Sequence, residues 1–170
     1  FVKETSEIPV YYYIAPKLWA WKEYRIREIK KYVDRVFTIF PFETEFYRKH
    51  NYEVEYVGNP TVDSVNTLCR KDENFTDFCK RHSLSEKPII ALLPGSRRQE
   101  ISACLPTMIE AAESFPEYQI VISGAPGIEA GFYQQFSEVA AHPVITGDTY
   151  QMLLHAKAAV VNSGTATLET

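Results

Sequence analysis

Ile89-Ile90-Ala91-Leu92-Leu93-Pro94-Gly95-Ser96-Arg97-Arg98-Gln99-Glu100 joins an unbroken apolar run to a Gly/Ser turn that carries two guanidinium groups. A short apolar run bounded by turn residues reads as a buried strand. Gly95 lets the backbone approach a ligand with no Cβ in the way, and a turn of this kind aims successive amide N–H groups at one point. Arg97 adds a permanently charged, bidentate donor pair that matches two phosphate oxygens. Pro-Gly-Ser after a strand is also an ordinary β-turn, so the phosphate reading needs a second loop.

Ala158-Ala159-Val160-Val161-Asn162 reads as another buried strand, followed by Ser163-Gly164-Thr165-Ala166-Thr167-Leu168-Glu169. Ser163 or Thr165 suits the cap of a new helix, whose free N–H groups attract anions. Glu169, about one turn further in, can accept from a pair of sugar hydroxyls or stand as a solvated helix acid. In an open α/β sheet the ligand crevice lies at the carboxyl ends of the strands, where both loops fall.

With 170 residues, 45% of them hydrophobic and 24% charged, the chain has the composition of ordinary globular material, enough for one large domain or parts of two. No apolar run approaches membrane-span length. A net charge of −4 argues against a general nucleic-acid binder. Cys69, Cys79 and Cys104 lack metal-ligand spacing and read as free thiols in a reducing compartment. His50, His82, His142 and His155 share no motif and read as surface or capping residues.

Strands alternate with helices along the whole chain. Val10-Tyr11-Tyr12-Tyr13-Ile14 is a strand, Trp19 to Val33 is helical by period, and Arg35 to Phe40 is a strand ended by Pro41, which opens a short helix through Phe46 and His50. Val54 to Val57 is a third strand. Gly58-Asn59-Pro60 then breaks the pattern as an interdomain connection. Beyond it, Val62, Val65 and Leu68 mark one helix, and Phe75, Phe78 and Cys79 another, capped near Asn74. After the strand at Ile89, Pro106 fits the first turn of a helix through Ser114. Tyr118 to Ile122 and Val144 to Thr146 are strands, Phe132, Phe136 and Val139 mark a helix between them, and Tyr150 to Ala156 is a short helix. Such βα order points to parallel sheets with right-handed crossovers. The chain opens just before a strand and closes a few residues into a helix, which reads as a segment of a longer protein.

Ala15-Pro16-Lys17-Leu18-Trp19-Ala20-Trp21-Lys22, Pro41-Phe42-Glu43, Val57-Gly58-Asn59-Pro60, Leu93-Pro94-Gly95-Ser96-Arg97 with Glu100, and Ser163 to Glu169 together resemble successive motifs of the lipid-A-disaccharide synthase family. Two departures are Lys17, where that family often has Ser, and Arg98, where it has a small residue. The resemblance implies an α/β fold of two Rossmann-like domains of GT-B type, both incomplete here. Residues 1–57 would be the later part of an acceptor-side domain, 58–60 the connection, and 61–170 most of a UDP-sugar domain. It implies an inverting glycosyltransferase that moves 2,3-diacylglucosamine from UDP-2,3-diacylglucosamine to 2,3-diacylglucosamine 1-phosphate in lipid A biosynthesis, without metal or cofactor. The implied place is the cytoplasmic face of the inner membrane, bound peripherally to an anionic surface, with no nucleic-acid partner and room for a homodimer.

Under that reading Gly95, Ser96, Arg97, Ser163, Gly164 and Thr165 hold the diphosphate and Glu169 the ribose. Gly147 and Asp148, at a strand's end, stand on the base side. Glu100 is either a helix cap or a ligand contact. From Lys17 to Arg35, seven Lys/Arg face three acids, so Trp19, Trp21, Lys22 and Arg25 form either a packed, solvated helix or a membrane or acceptor contact. The transfer needs a base for the attacking hydroxyl and positive electrostatics for departing UDP. Only the second is visible in these residues. The family's catalytic carboxylate is expected upstream of Phe1, which would leave this segment inactive alone, with Asp148 the first acid to test otherwise. Two rivals remain: another UDP-sugar enzyme of this architecture, such as a UDP-N-acetylglucosamine 2-epimerase, and a nucleotide-sugar-binding module without catalysis.

Overall fold

The computed structural model describes residues 2–70, 72–162 and 164–170, with the side chains of Ser137, Glu138, Thr165 and Glu169 outside that description. Contacts divide the chain into two units, one ending at Asp63 and the other starting at Ser64.

The first unit runs α1 (Val2–Thr5), β1 (Tyr11–Tyr13), a 3₁₀ turn (Glu23–Arg25), α2 (Ile26–Tyr32), β2 (Arg35–Thr38), α3 (Pro41–Lys49) and β3 (Glu55–Tyr56). Its strands lie parallel in the order β1-β2-β3, with Tyr12 opposite Val36 and Thr38 opposite Tyr56. Ala15, Leu18, Ile26, Ile29, Val36 and Tyr47 form the core beneath them. The helix expected from Trp19 to Val33 is shorter. Lys22 sits at φ 58, ψ 42, a left-handed conformation that a right-handed helix cannot pass through. Of the expected apolar stripe, Ile26 and Ile29 reach the core and Val33 packs against it, but Trp19 is 40% exposed and its neighbour Leu18 is buried instead. Pro41 opens α3, where its missing N–H costs nothing.

The helix α4 (Pro60–Leu68) carries the division between units. Its first turn is capped by the Asn59 side chain, which accepts from the Thr61 amide at 3.0 Å. The second unit then runs α5 (Phe75–Arg81), β4 (Ile89–Leu93), α6 (Arg98–Glu113), β5 (Gln119–Gly124), α7 (Ala130–Tyr133), a 3₁₀ turn (Ser137–Ala141), β6 (Val144–Thr146), α8 (Thr149–His155), β7 (Ala156–Val161) and α9 (Gly164–Glu169). Asn74 caps α5 through its Oδ1, which accepts from the Asp77 amide at 2.9 Å.

The second sheet is all parallel, in the order β6-β5-β4-β7. Alternate residues of β4 feed opposite faces, as strand geometry demands. Ile90 and Leu92 pack with Ile101, Leu105 and Ile109 of α6, while Ile89, Ala91 and Leu93 pack with Phe78 of α5 and Met152 of α8. All five residues of β4 are buried. From β4 the chain goes through α6 to β5 on one side, whereas β7, reached through α8, lies on the other. The carboxyl ends of β4 and β7 are therefore a topological switch point.

Three expectations are corrected here. Pro106 lies inside α6, not in its first turn. The carbonyl it leaves without an N–H donor belongs to Ser102, which is exposed and open to water, and buried Ile101, Leu105, Met108 and Ile109 hold both halves of the helix. The strand expected over residues 158–162 is not fully buried: among the described residues β7 pairs with β4 alone, and Val160 is 39% exposed. The helix marked by Phe132, Phe136 and Val139 is two short pieces, α7 and a 3₁₀ turn.

Candidate functional site

The loop from β4 to α6 and the loop after β7 meet at the switch point. The Asn162 amide donates to the Leu93 carbonyl at 2.9 Å, and Asn162 Nδ2 donates to the Pro94 carbonyl and to Cys104 Sγ, both at 3.1 Å. Sequence reasoning assigned Asn162 only to a strand, yet it ties one loop to the other. Gly95 has φ +118, and a Cβ there would lie 2.7 Å from Glu100 Oε2, 2.9 Å from Glu100 Cβ and 3.4 Å from the Asn162 carbonyl oxygen. Only glycine fits both that conformation and that space.

The amides of Ser96 and Arg97 do converge on one point, and Glu100 holds it. Its Oε2 accepts from Ser96 N at 3.1 Å and Arg97 N at 3.3 Å, and its Oε1 accepts from Arg97 Nη1 at 3.1 Å. The Arg97 side chain is otherwise 80% exposed, with donors to spare. Glu100 therefore caps α6, and the donor set it uses has the anion preference read from the sequence. Gly164 opens α9 and is exposed, with open space where a Cβ would stand. Ser163 and the side chains of Thr165 and Glu169 lie outside the described residues.

Gly147, at φ +80, and Asp148 follow β6 at the same carboxyl edge of the sheet. Asp148 is heavily engaged. Its carboxylate accepts from Arg70 at 2.8 and 3.0 Å, from Arg81, and lies 2.8 Å from His82 Nε2. Burial alone would raise its pKa, but the His82 and Arg81 hydrogen bonds and the fields of Arg81 and Arg70 outweigh it and hold the carboxyl below its usual value. Such a carboxylate is a weak proton acceptor. Arg81 also forks onto Glu73 with two 2.7 Å bonds. Buried Gln151 clasps the Arg70 backbone, accepting from its N–H at 2.9 Å and donating to its carbonyl at 3.0 Å. His82 thus belongs to an ion cluster and not to a plain surface. The one sequence signal for this cluster was a glutamine set among apolar residues of a short helix.

In the first unit, Trp19 and Trp21 are 40% and 69% exposed. Trp19 Nε1 donates to Glu43 Oε1 at 3.3 Å, and its ring meets Phe42 edge-to-face with centroids 4.9 Å apart. Lys22 Nζ stands 4.2 Å from the Trp21 ring centre, and Arg25 lies 3.8 Å from Glu28. A groove of about 540 Å³ lined by Lys87, Glu113, Phe115, Tyr118 and His142 lies at the amino ends of β4, β5 and β6. It is at the opposite edge from the glycine loops.

Parallel α/β units with glycine loops at the carboxyl edge place the chain in the Rossmann-like class. It belongs to the lipid-A-disaccharide synthetase family, whose model matches residues 2–170. The chain is 41% identical over 167 residues to the lipid-A-disaccharide synthase of Koribacter versatilis, covering 95% of this chain and 43% of that protein. It is 39% identical over 170 residues to that of Syntrophus aciditrophicus (96% and 44%) and 40% over 169 residues to that of Myxococcus xanthus (95% and 43%). The chain thus spans less than half the length of these curated relatives.

Proposed function

We propose that this chain supplies the nucleotide-sugar side, and part of the acceptor side, of a glycosyltransferase that moves 2,3-diacylglucosamine from UDP-2,3-diacylglucosamine to 2,3-diacylglucosamine 1-phosphate and releases UDP. The observation that carries the reading is the meeting of the Gly95 and Asn162 loops at the β4/β7 switch point, where sheets of this kind bind nucleotides. Departing UDP gains negative charge, which the Ser96 and Arg97 amides and the Arg97 guanidinium would stabilise. Phosphate oxygens would take the place of Glu100 Oε2 or use the other Arg97 donors. Ser163, Gly164 and Thr165 would extend the diphosphate site, Glu169 would accept from the ribose, and Gly147 would border the base.

Residues 1–57 would face the acceptor and 61–170 the UDP-sugar. Exposed Trp19 and Trp21, with Lys22 and Arg25, support a contact with a lipid acceptor or an anionic membrane surface. No helix among the described residues is long and apolar enough to cross a membrane. On this reading the protein attaches peripherally at the cytoplasmic face of the inner membrane through that aromatic and basic segment. A homodimer belongs to the same reading.

The test is UDP release by the purified full-length protein, given acylated or non-acylated UDP-glucosamine together with the acylated 1-phosphate acceptor. Disaccharide from the acylated pair alone is expected. Epimerised sugar, or UDP binding without turnover, would replace the reading with an epimerase or a silent binding module.

A further inference from the structure

Glu43 is 2% exposed, and a carboxylate is costly to bury unless its oxygens are bonded. Its Oε2 accepts from the amides of Phe40 at 3.1 Å and Ile39 at 3.3 Å, which caps α3. Capping alone does not call for burial: Glu100 makes the same bonds at the start of α6 with its side chain 33% exposed. What distinguishes Glu43 is where its third donor comes from: Glu100 Oε1 accepts from Arg97 of its own loop, whereas Glu43 Oε1 accepts from the indole N–H of Trp19, which reaches it from the loop after β1. That bond joins two neighbouring βα loops at the carboxyl edge of the first sheet. It leaves the Trp19 ring anchored at its N–H end and partly exposed, against Phe42, which itself stacks on Phe40 at 5.5 Å.

We infer that Glu43 is a positioning residue that fixes the Trp19 indole as a rigid contact for the acyl chain of the lipid acceptor. The inference rests on the acceptor-side reading of this unit. An indole held by a charged acceptor loses less freedom on binding than a loose one, so its contact area converts to affinity more fully. The occupant follows from charge as well as from apolar area. Lys22 stands over the Trp21 ring with no carboxylate partner among the described residues. Aromatic faces beside an exposed ammonium suit an amphiphile that carries both alkyl chains and a phosphate.

The test uses the full-length protein labelled with 5-fluorotryptophan, with the Trp19 resonance assigned by its loss in Trp19→Phe. Glu43→Gln, which keeps the size but removes the charge, is expected to shift or broaden that resonance. It is also expected to raise KM for 2,3-diacylglucosamine 1-phosphate about tenfold, the order of one lost charged hydrogen bond, while KM for the UDP-sugar and kcat stay within about twofold. Trp19→Phe, which packs in the same place without the N–H, is expected to match it, and the double variant to be no worse than either. An unchanged Trp19 resonance in Glu43→Gln would overturn the positioning role. Additive losses, or equal losses for both substrates, would show that Glu43 serves only the fold. A wild-type protein without turnover would sink the acceptor reading and this use of Trp19 with it, while the resonance would still report whether Glu43 holds the indole.

Discussion

Glu100 Oε2 lies 3.1 Å from the amide nitrogen of Ser96, so the loop that reads as a phosphate cradle is filled by a carboxylate of its own helix. The bond closes the first turn of α6 and holds the loop in shape before any ligand arrives. Glu100→Ala should therefore lower the stability of the protein by about 1 kcal/mol, the usual worth of a helix cap. Chemical denaturation measures this. No change would mean that the cap contributes nothing and that Glu100 is kept for ligand alone.

Gly95→Ala meets two obstacles at once, a φ of +118 and a Cβ position 2.7 Å from Glu100 Oε2. Glu100 must move, which opens the loop. A stability loss of about 1–3 kcal/mol is expected, together with weaker UDP binding, because both effects act on the same turn. Titration calorimetry showing wild-type UDP affinity in a folded Gly95→Ala protein would remove this loop from the site.

Arg97 is expected to act through its exposed donors. Arg97→Ala should weaken UDP binding by about 1.5–3 kcal/mol, the range for a hydrogen bond to a charged group, and Lys should restore part of it because a point charge lacks the planar fork. Unchanged affinity in the alanine variant would exclude Arg97 from diphosphate contact.

Asp148 predicts an acid-side dependence of stability. Its carboxyl is held below the usual value in the folded protein, so its contribution is present above the unfolded pKa of about 3.9 and is lost as pH falls through the lower folded value. Asp148→Asn should cost about 1.5–3 kcal/mol at neutral pH, with the gap to wild type closing below about pH 4. Thermal melts between pH 3 and 7, with the range chosen about the reference carboxylate values, give both curves. Parallel curves would mean that Asp148 adds no pH-linked stability.

Tyr47 predicts the opposite end of the scale. Its hydroxyl is buried without a hydrogen-bond partner among the described residues, and burial, aided by the fields of Glu43, Tyr52 and Tyr12, pushes its pKa up to about 12. The stability it permits is full below the unfolded value of about 10 and is lost as pH rises through the folded one. Tyr47→Phe should keep or raise neutral stability by up to about 1 kcal/mol and flatten the alkaline decline, as seen by denaturant titration at neutral and high pH. A loss at neutral pH would reveal a hydrogen bond made by that hydroxyl.

Much of the βα order was legible because its signals are local. The apolar run at Ile89, the turn at Gly95, the cap at Asn74 and the placement of Pro41 each act within a few residues. For Glu100 the sequence left a helix cap and a ligand contact both open, and the structure shows the cap. Local signals failed where continuity depended on one backbone angle, as at Lys22, or on flanking packing, as at Pro106 within α6. The tertiary structure decided the rest. Strand order placed β7 beside β4 and so created the switch point, and pairing of strands distant in sequence leaves no local pattern to read. The same holds for Arg70 and Arg81 gathering on Asp148, and for Trp19 reaching Glu43: each joins residues at least 24 positions apart, and only the folded chain brings such charges and donors within bonding distance.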